Sequence, residues 1–424
     1  MQSSAVAQKH PRLFYGWYIV GASILMNFYL SISFFQGFQV FFLPILNEFS
    51  WSRALTSGAF SLRQLETGIL APVAGFLVDR WGPRTIILLG VFFGGLGMVM
   101  MSFINSVWSF YLAFAILSLG TTGASHGVSW VIAVGNWFRR LRGRALGIAM
   151  LGPVVAGPFV VTVALMEEAL GWRKAVLLLG IGIWIVGFPL AMVARSRPEA
   201  YGAHPDGDVP KETQSGNAAP QAAIQSAESQ GFTARQAIAT RVFWALSIIF
   251  GVNFIASGGL TVHLIPLLEG LKYTPAQAAT ILGMVFLASG IGRIGAGMLL
   301  DRFDCRAVIA GLMASQIVGL WVLTLMSHVS LWQVSLFLLF FGVGFGGSVP
   351  LRPFLVRQFF GARSFGGLQG LVQGVGVGLG VVGPVFYGRV FDVSGSYNFA
   401  LYATMGLIAI ATPLVFMLGQ PSKE

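Results

Sequence analysis

The sequence predicts an all-α membrane protein, with twelve transmembrane helices forming two pseudo-symmetric six-helix bundles. Composition comes first. Of the 424 residues, 55% are hydrophobic and only 10% charged, with a mean hydropathy of +0.77, whereas a soluble domain carries roughly 25% charged residues. Second, apolar runs long enough to cross a bilayer recur twelve times. Third, the two halves match one another at a constant offset of 222 residues.

A spanning helix needs about 20 mostly apolar residues. Such runs lie near 15–46, 54–78, 85–104, 107–136, 145–166, 173–194, 241–268, 276–300, 307–327, 330–356, 364–388 and 397–418. The first is too long for the apolar core of a signal peptide, so it is expected to stay as a helix. Between the sixth and seventh runs the chain turns polar and rich in Pro, Gly, Ala and Gln. This reads as a flexible linker. The expected organisation is an N-terminal tail 1–14, a bundle 15–194, a linker 195–240, a second bundle 241–418 and a C-terminal tail 419–424.

Charge sets the orientation. With the N-terminus placed in the cytoplasm, the cytoplasmic segments hold eighteen of the 26 Lys and Arg residues. The outer loops hold Arg53, Arg173, Lys174, Lys272 and Arg389, and three arginines, Arg63, Arg293 and Arg352, lie inside spans. This asymmetry follows the positive-inside rule and predicts a multi-pass protein of the cell (inner) membrane with both termini cytoplasmic. The net charge of +11 is thereby assigned to membrane orientation, and no nucleic-acid partner is expected. The single cysteine, Cys305, excludes an internal disulfide framework. No metal cluster, Walker loop or catalytic triad is evident. No cofactor, metal, enzymatic activity or obligate protein partner is therefore expected; membrane lipid is the surrounding partner.

The repeat is visible in three places. "GFLVDRWGPR" (Gly75 to Arg84) aligns with "GMLLDRFDCR" (Gly297 to Arg306), "LPILNEFSWSRA" (Leu43 to Ala54) with "IPLLEGLKYTPA" (Ile265 to Ala276), and "NWF" at 136–138 with "QFF" at 358–360. Internal repeats with a site between the halves near mid-membrane are the architecture of secondary transporters.

These residues carry a family resemblance. "GFLVDRWGPR" resembles the signature loop of the major facilitator superfamily, and its second copy keeps Asp301 while Asp304 stands where the family has glycine. "FYGWYIVGAS" entering helix 1 and "NWFRRLRGRALGIAMLG" entering helix 5 resemble the monocarboxylate and oxalate porter branch. The resemblance implies alternating-access transport of a small organic anion, a monocarboxylate such as lactate or pyruvate. Symport with a proton fits, because an anion entering against the negative interior needs a compensating charge. Anion exchange, efflux of an amphipathic compound, and a non-transporting membrane sensor are the alternatives.

Arg293 is the leading substrate residue. It lies about 12 Å deeper than Asp301 along helix 8, where an uncompensated charge is costly, and guanidinium matches a carboxylate bidentately. The resemblance places a substrate-binding arginine there; an internal ion pair with Glu66 is the other reading. Arg63 and Glu66 lie three apart on one helix face, as a proton-carrying carboxylate with its modulator or as a structural pair. His263 is a second proton-coupling candidate, with simple hydrogen bonding as its alternative. Asn253, Ser257, Gln369 and Gln373 are expected to supply hydrogen bonds to the anion, and His126, beside Ser125, to line the cavity or pack. Arg352 is expected to snorkel toward the inner end of helix 10. Gln36 stands where animal monocarboxylate porters carry a lysine, and Val372 and Gln373 stand near the second cation of an oxalate porter, so a single deep arginine favours a monoanion. Gating falls to Asp79, Arg80 and Arg84, and to their repeats Asp301, Arg302 and Arg306. The alternative is that these charges only anchor loops and set topology.

Overall fold

The computed structural model describes residues 14–125, 129–138, 141–196, 231–300, 302–326, 329–361 and 365–419, with single positions 198, 201, 204 and 206. Eleven helices are long and apolar enough to cross a membrane: α1 (Tyr15–Phe49), α3 (Pro83–Met101), α4 (Val107–Trp137), α5 (Arg144–Leu170), α6 (Trp172–Val193), α7 (Arg241–Gly270), α8 (Pro275–Leu300), α9 (Cys305–Thr324), α10 (Leu331–Phe360), α11 (Gly367–Ser394) and α12 (Asn398–Val415). The twelfth is α2 (Arg53–Trp81). Its 29 residues span about 43 Å at 1.5 Å per residue, so length is sufficient although Arg63, Glu66 and Asp79 lower its hydropathy. Twelve helices result among the described residues, as the sequence predicts, and these residues form no named strand, only one isolated bridge between Gly231 and Gly361.

The observed bounds differ from the predicted ones mainly in α11, which continues six residues past 388 to Ser394. Arg389 and Asp392 therefore lie on the helix rather than in a loop. The helix stops at Gly395, whose φ of +68° closes it in the left-handed region. The turn from α2 to α3 likewise needs glycine: Gly82 has φ +79° and hands over to Pro83 at the first helical position.

Several helices are broken at mid-depth. α1 passes through a π segment (Ser31–Phe35) and a 3-10 segment (Gly37–Phe41). α5 is interrupted by Pro153 and Pro158 around a 3-10 turn, Gly157–Phe159. Proline removes a donor from the helix ladder; at this break the Gly157 N–H bonds the Val154 carbonyl instead of that of Pro153, which accepts the Gln36 amide at 2.7 Å. α10 carries a π turn, Leu338–Gly342. Broken backbone at this depth is tolerated only inside protein or along a cavity.

Within each half, close packing supplies the cohesion that lipid does not. In the N-terminal half, Phe34 of α1 and Phe60 of α2 hold Phe114 of α4 at ring distances of 5.5 and 5.3 Å, tilted pairs worth about 0.5–1.5 kcal/mol each beyond burial. Arg173 ties the end opposite the linker, bonding Glu48 at 2.6 Å and the carbonyls of Ser102 and Ile104 at 2.7 and 3.0 Å. In the C-terminal half, Gly292 of α8 lies against Val343 of α10, and Gly346 lies against Ser289. A side chain at either glycine would strike the facing backbone.

The two halves touch along α2–α11 and α5–α8. Calling the end with the α1–α2 turn distal and the other the linker end, Arg53 meets Asp392 at the distal rim, and the Ser61 hydroxyl donates to the Val381 carbonyl at 2.6 Å farther in. Gly157 and Gly283 bring α5 and α8 into backbone contact. These contacts occupy the distal half of the molecule and its middle, so the structure is a distally closed state.

Candidate functional site

Arg293 is half-buried on α8, seven residues before the helix end at Leu300. It sits about 8 Å to the linker side of the helix midpoint. Its Nε is buried without an acceptor, and among the described residues it has neither a carboxylate nor a hydrogen-bond partner. One turn before it on the same face, Gly290 packs on Val154 of α5, which places the arginine beside the seam between the halves. The internal pair with Glu66 considered from sequence is not formed.

On α7, Asn253 joins two neighbouring helices. Its Nδ2 donates to Gln316 Oε1 of α9 at 3.3 Å, and its Oδ1 lies 3.1 Å from the Ser348 hydroxyl of α10, whose one proton is shared with the Phe345 carbonyl at 2.7 Å. The Ser257 hydroxyl is bonded to the Asn253 carbonyl at 2.7 Å, so its proton is already committed. On α11, Gln369 and Gln373 are half-buried, and Gln369 Oε1 lacks a partner. Arg352 is half-buried on α10. Its guanidinium stands over the Phe254 ring at 5.5 Å, with its Nε buried and unbonded.

In the N-terminal half, Arg63 stands 5.4 and 5.5 Å from the rings of Phe34 and Phe35. Glu66 is half-buried at the midpoint of α2, beside Ser118 of α4, with one oxygen buried and unbonded. Gln36 is buried and points into its own half, toward Pro153.

His263 is fully buried at the distal closure. Its Nε2 faces the Pro384 carbonyl at 2.9 Å and its Nδ1 the Tyr397 hydroxyl at 3.1 Å. A carbonyl only accepts, so Nε2 carries the proton. Arg53 donates to the Tyr397 oxygen at 2.6 Å, leaving the Tyr397 hydrogen to bond Nδ1. A directed chain results: Arg53 to Tyr397 to His263 to Pro384, with a neutral imidazole. Phe42 of α1 meets the ring edge-on at 5.2 Å.

The gating residues are partly visible. Arg80 and Arg302 are exposed and Arg84 and Arg306 half-exposed at the linker end. Asp304 caps α9 through the Arg306 N–H at 2.7 Å, which is why the glycine expected there is dispensable. The Asp79 side chain, Asp301 and His126 lie outside the described residues.

Two residues were missed from sequence. Gln316 positions Asn253, and Gln64 of α2 reaches across the seam to lie against Gly258 of α7 and Gly380 of α11. Each is a polar side chain in an apolar span, the same signal that singled out Gln369.

Residues 24–384 match the family model described as the Major Facilitator Superfamily. The chain belongs to this superfamily. Monocarboxylate transporter 2 of Homo sapiens is 24% identical over 433 residues, covering 99% of this chain and 88% of that protein. An uncharacterised transporter of the same superfamily from Bacillus subtilis, YcxA, is 23% identical, covering 96% and 97%. Among solved structures, a bacterial homologue of the human lysosomal transporter Spinster, inward-facing and unoccupied, superposes with a TM-score of 0.70 at 18% identity over 96% of this chain and 98% of that one. The nucleoside transporter NupG gives 0.72 at 11% identity over 95% and 99%. These two likenesses concern the superfamily fold. Members are transporters rather than enzymes, and the multi-pass helical architecture agrees.

Proposed function

We propose that this superfamily member carries a small organic anion across the cell membrane by alternating access, with a carboxylate seated on Arg293. The observation that carries the reading is a half-buried guanidinium with no acceptor, beside the seam of two halves closed at one end. A cation held there without a counter-charge is costly, and a bound carboxylate supplies the counter-charge and two acceptors. The names of the relatives support a monocarboxylate, and lactate is the natural first probe. Proton symport is the proposed mode, with Glu66 at mid-depth as carrier.

The bundles 15–194 and 241–418 rock about the seam, with the linker 195–240 and the tails 1–14 and 419–424 cytoplasmic. The distal end then faces outward, and the state described is inward-facing. The loop charges Asp79, Arg80, Arg84, Asp301, Arg302 and Arg306 close the linker end in the opposite state.

The test is uptake of labelled lactate into proteoliposomes under an inward proton gradient. Saturable, protonophore-sensitive uptake by wild type that Arg293→Gln reduces more than tenfold supports the reading. Equal uptake by the two proteins overturns it.

A further inference from the structure

We infer that Arg352 is a second anion-binding residue beside Arg293, so that the cleft prefers dicarboxylates to monocarboxylates of equal length. This rests on reading Arg293 as a carboxylate clamp. It departs from the expectation drawn from sequence, in which one deep arginine favoured a monoanion and Arg352 snorkelled away.

The two arginines are at matching places on neighbouring helices. α8 and α10 both run from the distal end to the linker end, and they pack closely through Gly292 and Gly346. Phe286 of α8 and Phe345 of α10 meet across this contact, their rings 6.4 Å apart. Arg293 follows Phe286 by seven residues and Arg352 follows Phe345 by seven. Seven residues are two turns less about 20°, so each arginine lies on the face marked by its phenylalanine, about 10 Å nearer the linker end. Both arginines therefore lie on the linker side of the Phe286–Phe345 contact, Arg352 beyond Pro350 of the same helix.

The surroundings are those of a ligand rather than of lipid. Phe254 of α7 lies under the Arg352 guanidinium at 5.5 Å and fixes its direction. The same ring packs on α11 at Gly376. Ser348, one turn before Arg352, is bonded to Asn253, so this face of α10 looks toward α7 and away from the bilayer. Gln373 precedes Gly376 by three residues on the α11 face that meets Phe254, adding an amide at similar depth.

Among the described residues nothing neutralises the pair. The carboxylates on the spans of this half, Glu269 and Asp392, are both at the distal end. Among the described residues neither arginine has a hydrogen-bond or ion-pair partner, and both Nε atoms are buried unbonded. Two unpaired cations in one low-dielectric cleft repel each other and lack acceptors. A ligand with two carboxylates removes both penalties; one with a single carboxylate removes half.

The test compares succinate with butyrate, four carbons each, as ligands of the purified full-length protein, read as protection against thermal unfolding. At neutral pH, succinate is expected to protect wild type at concentrations at least about tenfold lower than butyrate. Arg352→Gln should bring the two concentrations together, chiefly by weakening succinate, and Arg352→Lys should restore part of the difference. The unfolding transition itself reports that each variant is folded. Equal protection of wild type by the two ligands overturns the inference, as does a succinate preference that survives in Arg352→Gln. If neither ligand protects and labelled lactate uptake is the same for wild type and Arg293→Gln, the carboxylate clamp fails and this inference with it.

Discussion

Asp392, near the end of α11, accepts the backbone N–H of Arg53 at 2.9 Å, so a carboxylate of one half caps the first helical turn of the other. Its second oxygen accepts the next N–H, of Ala54, also at 2.9 Å. Those two donors are among the four that every helix start leaves open, and negative charge is favoured at that end. In the proposed alternating-access cycle this cap belongs to the distally closed state. Distal opening in that cycle would exchange it for water.

Removing the cap should therefore shift the resting state. A lost N-terminal cap costs about 1 kcal/mol, roughly a fivefold change in population. In a Cys305→Ser background, a cysteine introduced at buried Ser57, one turn below Arg53, reports on distal opening. Asp392→Ala should raise its rate of modification by an impermeant thiol reagent about fivefold. An unchanged rate would show that the carboxylate does not hold this end shut.

The His263 chain makes a different prediction. The imidazole is enclosed, neutral and bonded on both nitrogens, which suits a structural member of the closure better than a proton carrier. His263→Phe would leave the Tyr397 hydrogen and the Pro384 carbonyl without partners, at about 1–3 kcal/mol per unsatisfied buried group. The expected result is a lowered unfolding temperature with an unshifted pH profile for lactate uptake. A displaced profile at unchanged stability would return His263 to the proton path.

Much of the fold was legible and much of the site was not, for one reason. Hydropathy and the repeat are properties of stretches, so twelve spans emerge from composition alone, and Asp79 aligns with Asp301 without any structure. Contacts across the seam join positions hundreds of residues apart, as Ser61 joins Val381 and Arg53 joins Asp392, and nothing local encodes them. Arg352 was expected to snorkel because it lies near a helix end. Its direction is set by Phe254, on another helix. Gln36 stood out by its place in a family pattern, yet a broken turn at Pro153 claims its amide.

Asn253 shows how a site residue depends on its supports. Its amide is oriented by Gln316 and Ser348, so Gln316→Leu should disturb substrate binding almost as much as Asn253→Leu, although Gln316 belongs to α9. For lactate uptake, both variants should raise KM by about five- to thirtyfold, as loss of one or two hydrogen bonds of about 1 kcal/mol implies. An unaltered KM in Gln316→Leu, with a raised one in Asn253→Leu, would mean that the asparagine is held without this partner.

Glycine at 283 is a steric requirement. A Cβ there would strike the Gly157 carbonyl of α5, and neither backbone has a flexible end to move aside. Gly283→Val should hold α5 and α8 apart and prevent distal closure. Transport should fall by more than an order of magnitude, while the Ser57 cysteine becomes persistently reactive. Wild-type transport rates in this variant would show that the seam can open at α5–α8 without cost.

Glu66 tests the coupling itself. It is the only carboxylate within the described middle of the N-terminal half, half-buried at the midpoint of α2 with one oxygen unbonded. A carboxylate there can cross with its proton far more readily than as an anion, so the neutral form must accompany reorientation of the empty carrier if the proton rides on it. Glu66→Gln mimics that neutral form permanently. Exchange of labelled for unlabelled lactate across the membrane should persist, because it needs no net proton movement. Accumulation driven by an inward proton gradient should collapse to the level set by the lactate gradient alone. Loss of exchange and accumulation together would place Glu66 in substrate binding, and retention of gradient-driven accumulation would place the proton elsewhere.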